Sequence, residues 1–291
     1  MIPRSFEYHS PRTLDEAIAL LQKLGPDAKL LSGGQSLIPM MKLRLLSPEH
    51  IVDINRIPEL DYISESDGHL RIGCLAREHE LESSDVIKTR LPILSDTAKV
   101  IADPLVRSQA TVCGNLAHGD PANDHPATMM ALGATVVAKG PKGQREIPVA
   151  DFFPGLFTTA LEPEEILTEI KIPFPPPRSG GAYLKLERKV GDFATAGVAV
   201  QITLDDADVC KYAGIGLTNV GMTPIKAKQT ESYLVGKKLD DATIQQAAET
   251  AASESQPMDD IRGSAEYKRD LVRVLTARAL ATAVNRAKGG A

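Results

Sequence analysis

LLSGGQSLIPMMKLR, residues 30–44, contains an apolar run that halts at Ser32-Gly33-Gly34-Gln35-Ser36 and resumes at Leu37. Adjacent glycines are costly to order, because each loses more backbone freedom than any other residue. The residues before the pair, AKLL (28–31), read as a short buried strand, and Leu37 to Leu43 reads as a helical turn. A strand feeding a glycine turn into a helix N-terminus leaves several backbone N–H groups pointing outward together, a natural seat for an anion. Glycine lets a phosphate approach the main chain without a Cβ in the way, while Ser32, Gln35 and Ser36 add side-chain donors.

Alone, such a stretch is more often just a turn. A second break of the same make-up, Thr111-Val112-Cys113-Gly114-Asn115, shifts the balance. It lies in IADPLVRSQATVCGNLAHGDPANDHPA (101–127), which is dense in Gly, Pro, Asn and Asp. Long polar segments of this kind are usually functional. Two turns facing one diphosphate would hold it, each hydrogen bond to the charged group contributing roughly 1.5–3 kcal/mol. Neither stretch is a G-x-G-x-x-G fingerprint or a GxxxxGK[ST] loop, so Rossmann and P-loop readings lose their main support.

Working outward, Thr13-Leu14-Asp15-Glu16 reads as a capping box opening a helix with the stripe Ala17, Leu20, Leu21 and Leu24, closed by Gly25-Pro26. HIVDI (50–54) and HLRIGCLA (69–76) read as strands, Pro92 starts a helix to about Ile101, and Asp124 caps one from Pro126 to Leu132. ATVVAKG and REIPVADFF pair around a turn at 140–143, and EEILTEIKIP is a further strand. PFPPPRSGG (173–181) reads as an extended linker, since four prolines and two glycines do not suit a packed interior. Three strands follow, AYLKLERKV, GVAVQITL and YAGIGLTNV, then helices near 240–254 and 264–288.

At 291 residues the chain has room for two or three cores. Its composition, 43% hydrophobic and 24% charged with net charge −5, has no basic stripe to neutralise a nucleic-acid backbone, so no nucleic-acid partner is expected. Cys74, Cys113 and Cys210 are too few and too scattered for a disulfide framework or an iron–sulfur site, and an odd count fits a reducing compartment. MIPRSFEYHSP lacks the apolar core of a secretory signal, and no run approaches the ~20 apolar residues of a membrane span. A cytoplasmic protein is expected.

Read together, LLSGGQSLIPMMKLR, the segment 101–127 and YLKLERKVGDFATAGVAV (183–200) resemble the FAD-binding medium subunit of the molybdenum hydroxylases, within that family most closely the flavoprotein chains of aerobic carbon monoxide dehydrogenases. The resemblance spans essentially the whole chain. It implies an α+β fold: a vanillyl-alcohol-oxidase (PCMH)-type FAD-binding domain of two α+β subdomains, 1–56 and 57–176, followed by a C-terminal domain, 177–291, with a small antiparallel sheet and helices. It implies FAD lying between the subdomains, its diphosphate gripped by Leu31, Ser32, Gly33, Gly34, Gln35, Ser36 and Leu37 together with Thr111, Val112, Cys113, Gly114 and Asn115. Asp124 matches an acid placed on the cofactor, with Ile101 and Lys185 near it, and Phe193 falls where carbon monoxide dehydrogenases carry a tyrosine beside the flavin ring. The resemblance implies no catalytic residue of the chain's own.

The resemblance further implies partners, an iron–sulfur small subunit and a molybdenum large subunit carrying molybdopterin, assembled as a dimer of heterotrimers. Electrons pass from the iron–sulfur clusters to FAD and on to an external acceptor; peripheral membrane association through that acceptor stays open. The complex's expected substrate is carbon monoxide, with aldehydes or N-heterocycles as alternatives. A self-contained flavin oxidase and a non-catalytic nucleotide-binding assembly subunit are the other classes to distinguish. Two departures stand out: Ser32 and Gln35 replace Ala and His in the usual A-G-G-H-S, and Cys113 replaces Gly in T-I-G-G-N. If position 113 needed φ > 0, the cysteine would cost about 1 kcal/mol.

Competing uses of the same residues read as weaker. His118, Asp120, Asp124 and His125 suggest metal ligands, but Pro121 and Pro126 disrupt the helical spacing, and a satisfied loop is the expectation; no metal site is assigned. Cys113 reads as a small buried residue rather than a redox thiol, Met40-Met41 as core, and Arg188-Lys189 as solvated or facing an anion. No G-x-S-x-G elbow supports a hydrolase.

Overall fold

The computed structural model describes residues 2–290. Three sheets organise it. The first is parallel, in the order β1-β3-β2, from β1 (Glu7–His9), β2 (Ala28–Leu31) and β3 (His50–Asp53). Between β1 and β2 runs α1 (Leu14–Leu24), N-capped by Thr13, whose Oγ1 accepts from the Glu16 amide at 3.2 Å. Its buried stripe is Leu14, Ala17, Ile18 and Leu21, rotated from the sequence expectation so that Leu20 and Leu24 lie at the margin of the core. The short helix α2 (Leu37–Lys42) joins β2 to β3.

The second sheet is antiparallel, ordered β4-β5-β8-β6-β7: β4 (Ile63–Ser66), β5 (His69–Gly73), β6 (Thr135–Gly140), β7 (Gly143–Pro148) and β8 (Ile166–Pro173). β5 stops at Gly73, three residues short of the expected end, because Cys74 and Leu75 form a turn closed by the Ala76 amide donating to the Gly73 carbonyl at 3.1 Å. Between β5 and β6 come six helices, α3 (Glu78–Ser83), α4 (Asp85–Arg90), α5 (Pro92–Lys99), α6 (Pro104–Arg107), α7 (Val112–His118) and α8 (Asp124–Ala131). Asp124 lies inside α8, where it was expected to be the cap; Asn123 holds the N-cap position.

The third sheet, ordered β12-β11-β10-β9, comprises β9 (Ser179–Leu186), β10 (Ala196–Leu204), β11 (Cys210–Thr218) and β12 (Ile225–Lys226), followed by α9 (Lys228–Leu234), α10 (Asp241–Glu254) and α11 (Ala265–Ala287). All nine residues of β10 are buried, as expected for a strand covered on both faces: α11 packs on it, and so does α8 of the preceding part of the chain. The linker reading of 173–181 needs correction at its end. Ser179-Gly180-Gly181 are the first residues of β9, and glycine is required because a Cβ on Gly180 would lie 2.6 Å from the Ala287 amide of α11. Close packing, not flexibility, explains these glycines.

The first two sheets share one hydrophobic core, which Tyr183 and Ala199 of the third sheet join; a second core fills the space between the third sheet and α9–α11. Among the described residues, no helix is long and apolar enough to cross a membrane.

Candidate functional site

β2 ends at Leu31, and the turn 32–36 follows from the C-terminal end of the parallel sheet. It meets the segment before α7: Ser32 Oγ lies 3.0 Å from Thr111 Oγ1. A Cβ on Gly33 would press on the Gln109 carbonyl and come within 2.8 Å of Ala110 Cα and 2.9 Å of the Thr111 nitrogen. Gly33 is therefore needed so that the two turns can touch each other. Gly34 has φ +74°, the left-handed conformation that L side chains resist. Among the described residues, no protein acceptor meets the amides of Gly33, Gly34, Gln35 or Ser36. Successive undonated N–H groups of this kind form an anion-binding concavity.

The second stretch is the opening of a helix, not the glycine-centred break its composition suggested. Thr111, extended at φ −117°, N-caps α7 by accepting from the Gly114 amide at 3.2 Å. A Cβ on Gly114 would sit 2.6 Å from that Thr111 Oγ1 and disrupt the cap. Cys113 lies within α7 without a positive φ, so the backbone cost raised for cysteine at this position does not arise. Burial pushes its thiol well above the ordinary range, which removes the thiolate that a redox role needs.

A polar strut holds the two turns together. Arg77 donates through Nη1 to the Gln109 carbonyl at 2.6 Å and through Nη2 to Asn55 Oδ1 at 2.6 Å. Asn55 Nδ2 in turn donates to the Ser32 carbonyl at 2.9 Å. One arginine thus fixes the backbone leading into each turn. Neither Arg77 nor Asn55 stands out in the sequence, because they occupy no local motif and act only through contacts between distant segments.

Both turns open into a cleft of about 690 Å³. Residues 31–37, Thr111, residues 113–115, Ile101, Asp124 and Phe193 all line it. Val112 and Lys185 do not: the Val112 side chain is fully buried in the core, and Lys185 stands behind Asp124, donating to its Oδ2 at 3.1 Å. Tyr183, two residues earlier on the same face of β9, donates to Asp124 Oδ1 at 2.5 Å. Burial raises the Asp124 carboxyl above its ordinary value, against the opposing pull of Lys185 and Tyr183. The β9–β10 loop brings Phe193 and Gly191 to the opposite rim; Gly191 has φ +83°, and a Cβ there would also abut the Ala102 carbonyl at 2.6 Å. Arg188, left open as solvated or anion-facing, pairs with Asp192 at 2.9 Å.

The four residues of HGDPANDH do not converge on a metal-binding point. His125 is fully buried and bonded to Glu78 at 2.7 Å, Asp124 is held by Tyr183 and Lys185, and His118 packs on Phe157 with ring centroids 5.5 Å apart. Burial lowers the His118 pKa despite the nearby Asp120 carboxylate. The cleft fits a large, anionic and partly polar group. Its size lies in the range of ligand pockets, undonated amides stand at its head, and Asn115 Oδ1, on its wall, is buried without a hydrogen-bond partner among the described residues.

Comparison with known proteins gives matches along almost the entire chain. Residues 4–175 match the model of the FAD binding domain in molybdopterin dehydrogenase, and residues 181–283 that of the CO dehydrogenase flavoprotein C-terminal domain. The chain is 46% identical to the carbon monoxide dehydrogenase medium chain of Afipia carboxidovorans, over 99% of its own length and 100% of the relative's. It is 37% identical to the 6-hydroxypseudooxynicotine dehydrogenase complex subunit alpha of Paenarthrobacter nicotinovorans, covering 99% and 97%. Its fold superposes on a carbon monoxide dehydrogenase from Hydrogenophaga pseudoflava, a structure lacking the Mo-pyranopterin moiety, with a TM-score of 0.96 at 46% identity, over 98% of this chain and 99% of that one.

Proposed function

Because the chain belongs to the FAD-binding medium-subunit family of the molybdenum hydroxylases, we propose that it is the flavin subunit of such a complex, taking electrons from an iron–sulfur small subunit and passing them to an external acceptor. The observation that carries this reading is the meeting of two turns, 79 residues apart at Ser32 and Thr111, at the head of one cleft. Bound there, FAD supplies the capacity to store two electrons and release them. The protein supplies position. The amides of residues 33–36, beside Ser32 and Thr111, would hold the diphosphate. Asn115 Oδ1, buried without a partner among the described residues, and Asp124, oriented by Tyr183 and Lys185, would offer the cofactor hydrogen-bond acceptors. Phe193, on the cleft lining, would shield the cofactor from solvent.

The substrate of the complex is carbon monoxide on this reading, supported by the 46% identity to carbon monoxide dehydrogenase medium chains. A second reading, the same electron-transfer role in a complex that oxidises an N-heterocycle or an aldehyde, is favoured by the full-length 37% match to a dehydrogenase subunit of different substrate. The molybdenum large subunit decides between them, and the assembly is a dimer of heterotrimers.

The test is flavin content and reducibility. The purified chain is expected to be yellow and to hold one FAD, which carbon monoxide reduces only when both partner subunits are present. Gly33→Val is expected to lose the flavin while the far-ultraviolet circular dichroism stays native. Full flavin retention in that variant overturns the role given to the paired turns. Reduction of the isolated chain by a small substrate points instead to a self-contained oxidase. Absence of flavin leaves the assembly-subunit reading.

A further inference from the structure

We propose a second site on this chain, unrelated to the flavin cleft: a binding site for a zinc-like divalent cation formed by Glu7, His9 and His50. Glu7 and His9 are alternate residues of β1, so they project from the same face, and the parallel register sets Glu7 directly opposite His50 of β3. His9 Nε2 lies 3.3 Å from His50 Nδ1, Glu7 Oε2 is 3.3 Å from His50 Nδ1, and Glu7 Oε2 is 3.9 Å from His9 Nε2. Among the described residues this is the group of His, Cys, Asp and Glu side chains whose ligand atoms approach one another so closely.

The distances suit a tetrahedral ion. Zinc binds nitrogen and oxygen ligands at about 2.0–2.2 Å, which makes the ligand-to-ligand edge of the tetrahedron roughly 3.3–3.6 Å. Two of the three separations fall at that edge. The third closes by rotation of Glu7, whose side chain is 73% exposed and free to swing, while the imidazoles, 24% and 19% exposed, are held by the sheet. Two imidazoles and one carboxylate favour zinc-like metals over calcium or magnesium, which prefer all-oxygen shells. The fourth position is open to water.

Hydrogen bonding satisfies the cluster poorly. If His9 Nε2 donates to His50 Nδ1, the latter has no proton to offer the Glu7 carboxylate 3.3 Å away. If His50 Nδ1 carries the proton instead, one hydrogen must serve both Glu7 and His9. A cation in the middle satisfies all three lone pairs. The outer ring nitrogens are not buried without partners, so solvent can serve them. None of the three residues lines the flavin cleft. Glu7 and His50 stand where β1 and β3 begin, at the end of the sheet opposite the turn after Leu31, since His50 pairs with Ala28 and Asp53 with Leu31, while His9 closes β1 opposite Val52 and reaches back to His50. The ion would clip the three-residue edge strand β1 to β3.

The test is calorimetric titration of the full-length, flavin-loaded chain, stripped with EDTA, with zinc chloride. One zinc per chain is expected, with a rise in Tm. His9→Ala and His50→Ala are expected to weaken binding at least ~100-fold, the upper range for loss of outer-sphere support alone. His50→Gln, which keeps a polar side chain in the sheet, guards against misfolding and is expected to lose zinc while keeping flavin content and the EDTA-treated Tm. His79→Ala, an exposed histidine outside the cluster, is expected to bind as the unaltered chain does. Cobalt(II) is expected to give the intense visible bands of tetrahedral coordination. Absence of zinc binding, unchanged affinity in both histidine variants, or pale octahedral cobalt spectra would each overturn the site.

Discussion

At the residue scale, the glycines of the first turn do two different jobs. Gly34 answers a backbone need, φ +74°, and a Cβ there would meet mainly the movable Ile38 side chain at 2.8 Å. Gly34→Ala is therefore expected to destabilise by about 1–2 kcal/mol, the cost of a left-handed L residue, measured by urea unfolding. Gly33 answers a contact between backbones, so Gly33→Ala is expected to cost more and to release flavin. The dependence on glycine was legible in the sequence. Its cause at Gly33 was not, because the neighbour it admits lies 77 residues further on at Ala110. Lys185 offers another test at this scale. It is nearly fully buried and paired with Asp124. Lys185→Met leaves that carboxylate uncompensated, and an expected loss of about 3 kcal/mol, toward the low end for a broken buried pair because Tyr183 still donates to Asp124, is measurable by the same method. Asp192 gives a pH signature. Arg262 and then Arg188 hold its carboxyl down to about 2. An unfolded aspartate titrates near ~3.9, so these bonds stabilise the fold above that pH, and the contribution is lost as pH falls toward about 2. Arg262→Met is expected to reduce the loss of stability between about pH 4 and pH 2, as read from urea midpoints across that range.

At the scale of elements, the strands and long helices could be read from periodicity, and the short ones could not. α10 and α11 stand within a residue or two of their expected ends, and β10 follows its largely apolar run, which only Gln201 and Thr203 interrupt. β1, β12 and α9 were not foreseen: three, two and seven residues carry too little pattern, and they exist because a neighbouring sheet edge or helix is there to pair with. α7 was misread as a break because Gly114 masked a helix start; the decisive signal was Thr111 three residues earlier, an N-cap hydroxyl. That cap also reaches Ser32. Thr111→Val is expected to cost about 1 kcal/mol from the lost cap and to weaken flavin retention. Thr111→Ser, which keeps the oxygen, is expected to restore both. Equal behaviour of the two variants in unfolding and flavin-release assays would show that the hydroxyl is not what matters.

At the scale of the molecule, the cleft is assembled from three sheets, and its parts were readable while their joints were not. The motifs at 32–36 and 111–115 announced themselves in the sequence; the strut of Arg77 and Asn55 that holds them in register did not, since it depends on side chains crossing between segments. Arg77→Ala is expected to speed flavin release several-fold while leaving the overall unfolding midpoint within a few degrees, whereas Arg77→Lys, which cannot span both acceptors, is expected to behave like the alanine variant. Stopped-flow release of FAD into apo-flavoprotein scavenger would measure this. The rim carrying Gly191 and Phe193 comes from the third sheet, though both turns come from earlier segments. On the ribosome, both cradles therefore emerge before the residues of the far wall. A complete cleft therefore requires synthesis to have passed residue 193, and a chain released before that point by a premature stop would carry the grip without the wall that retains what it grips.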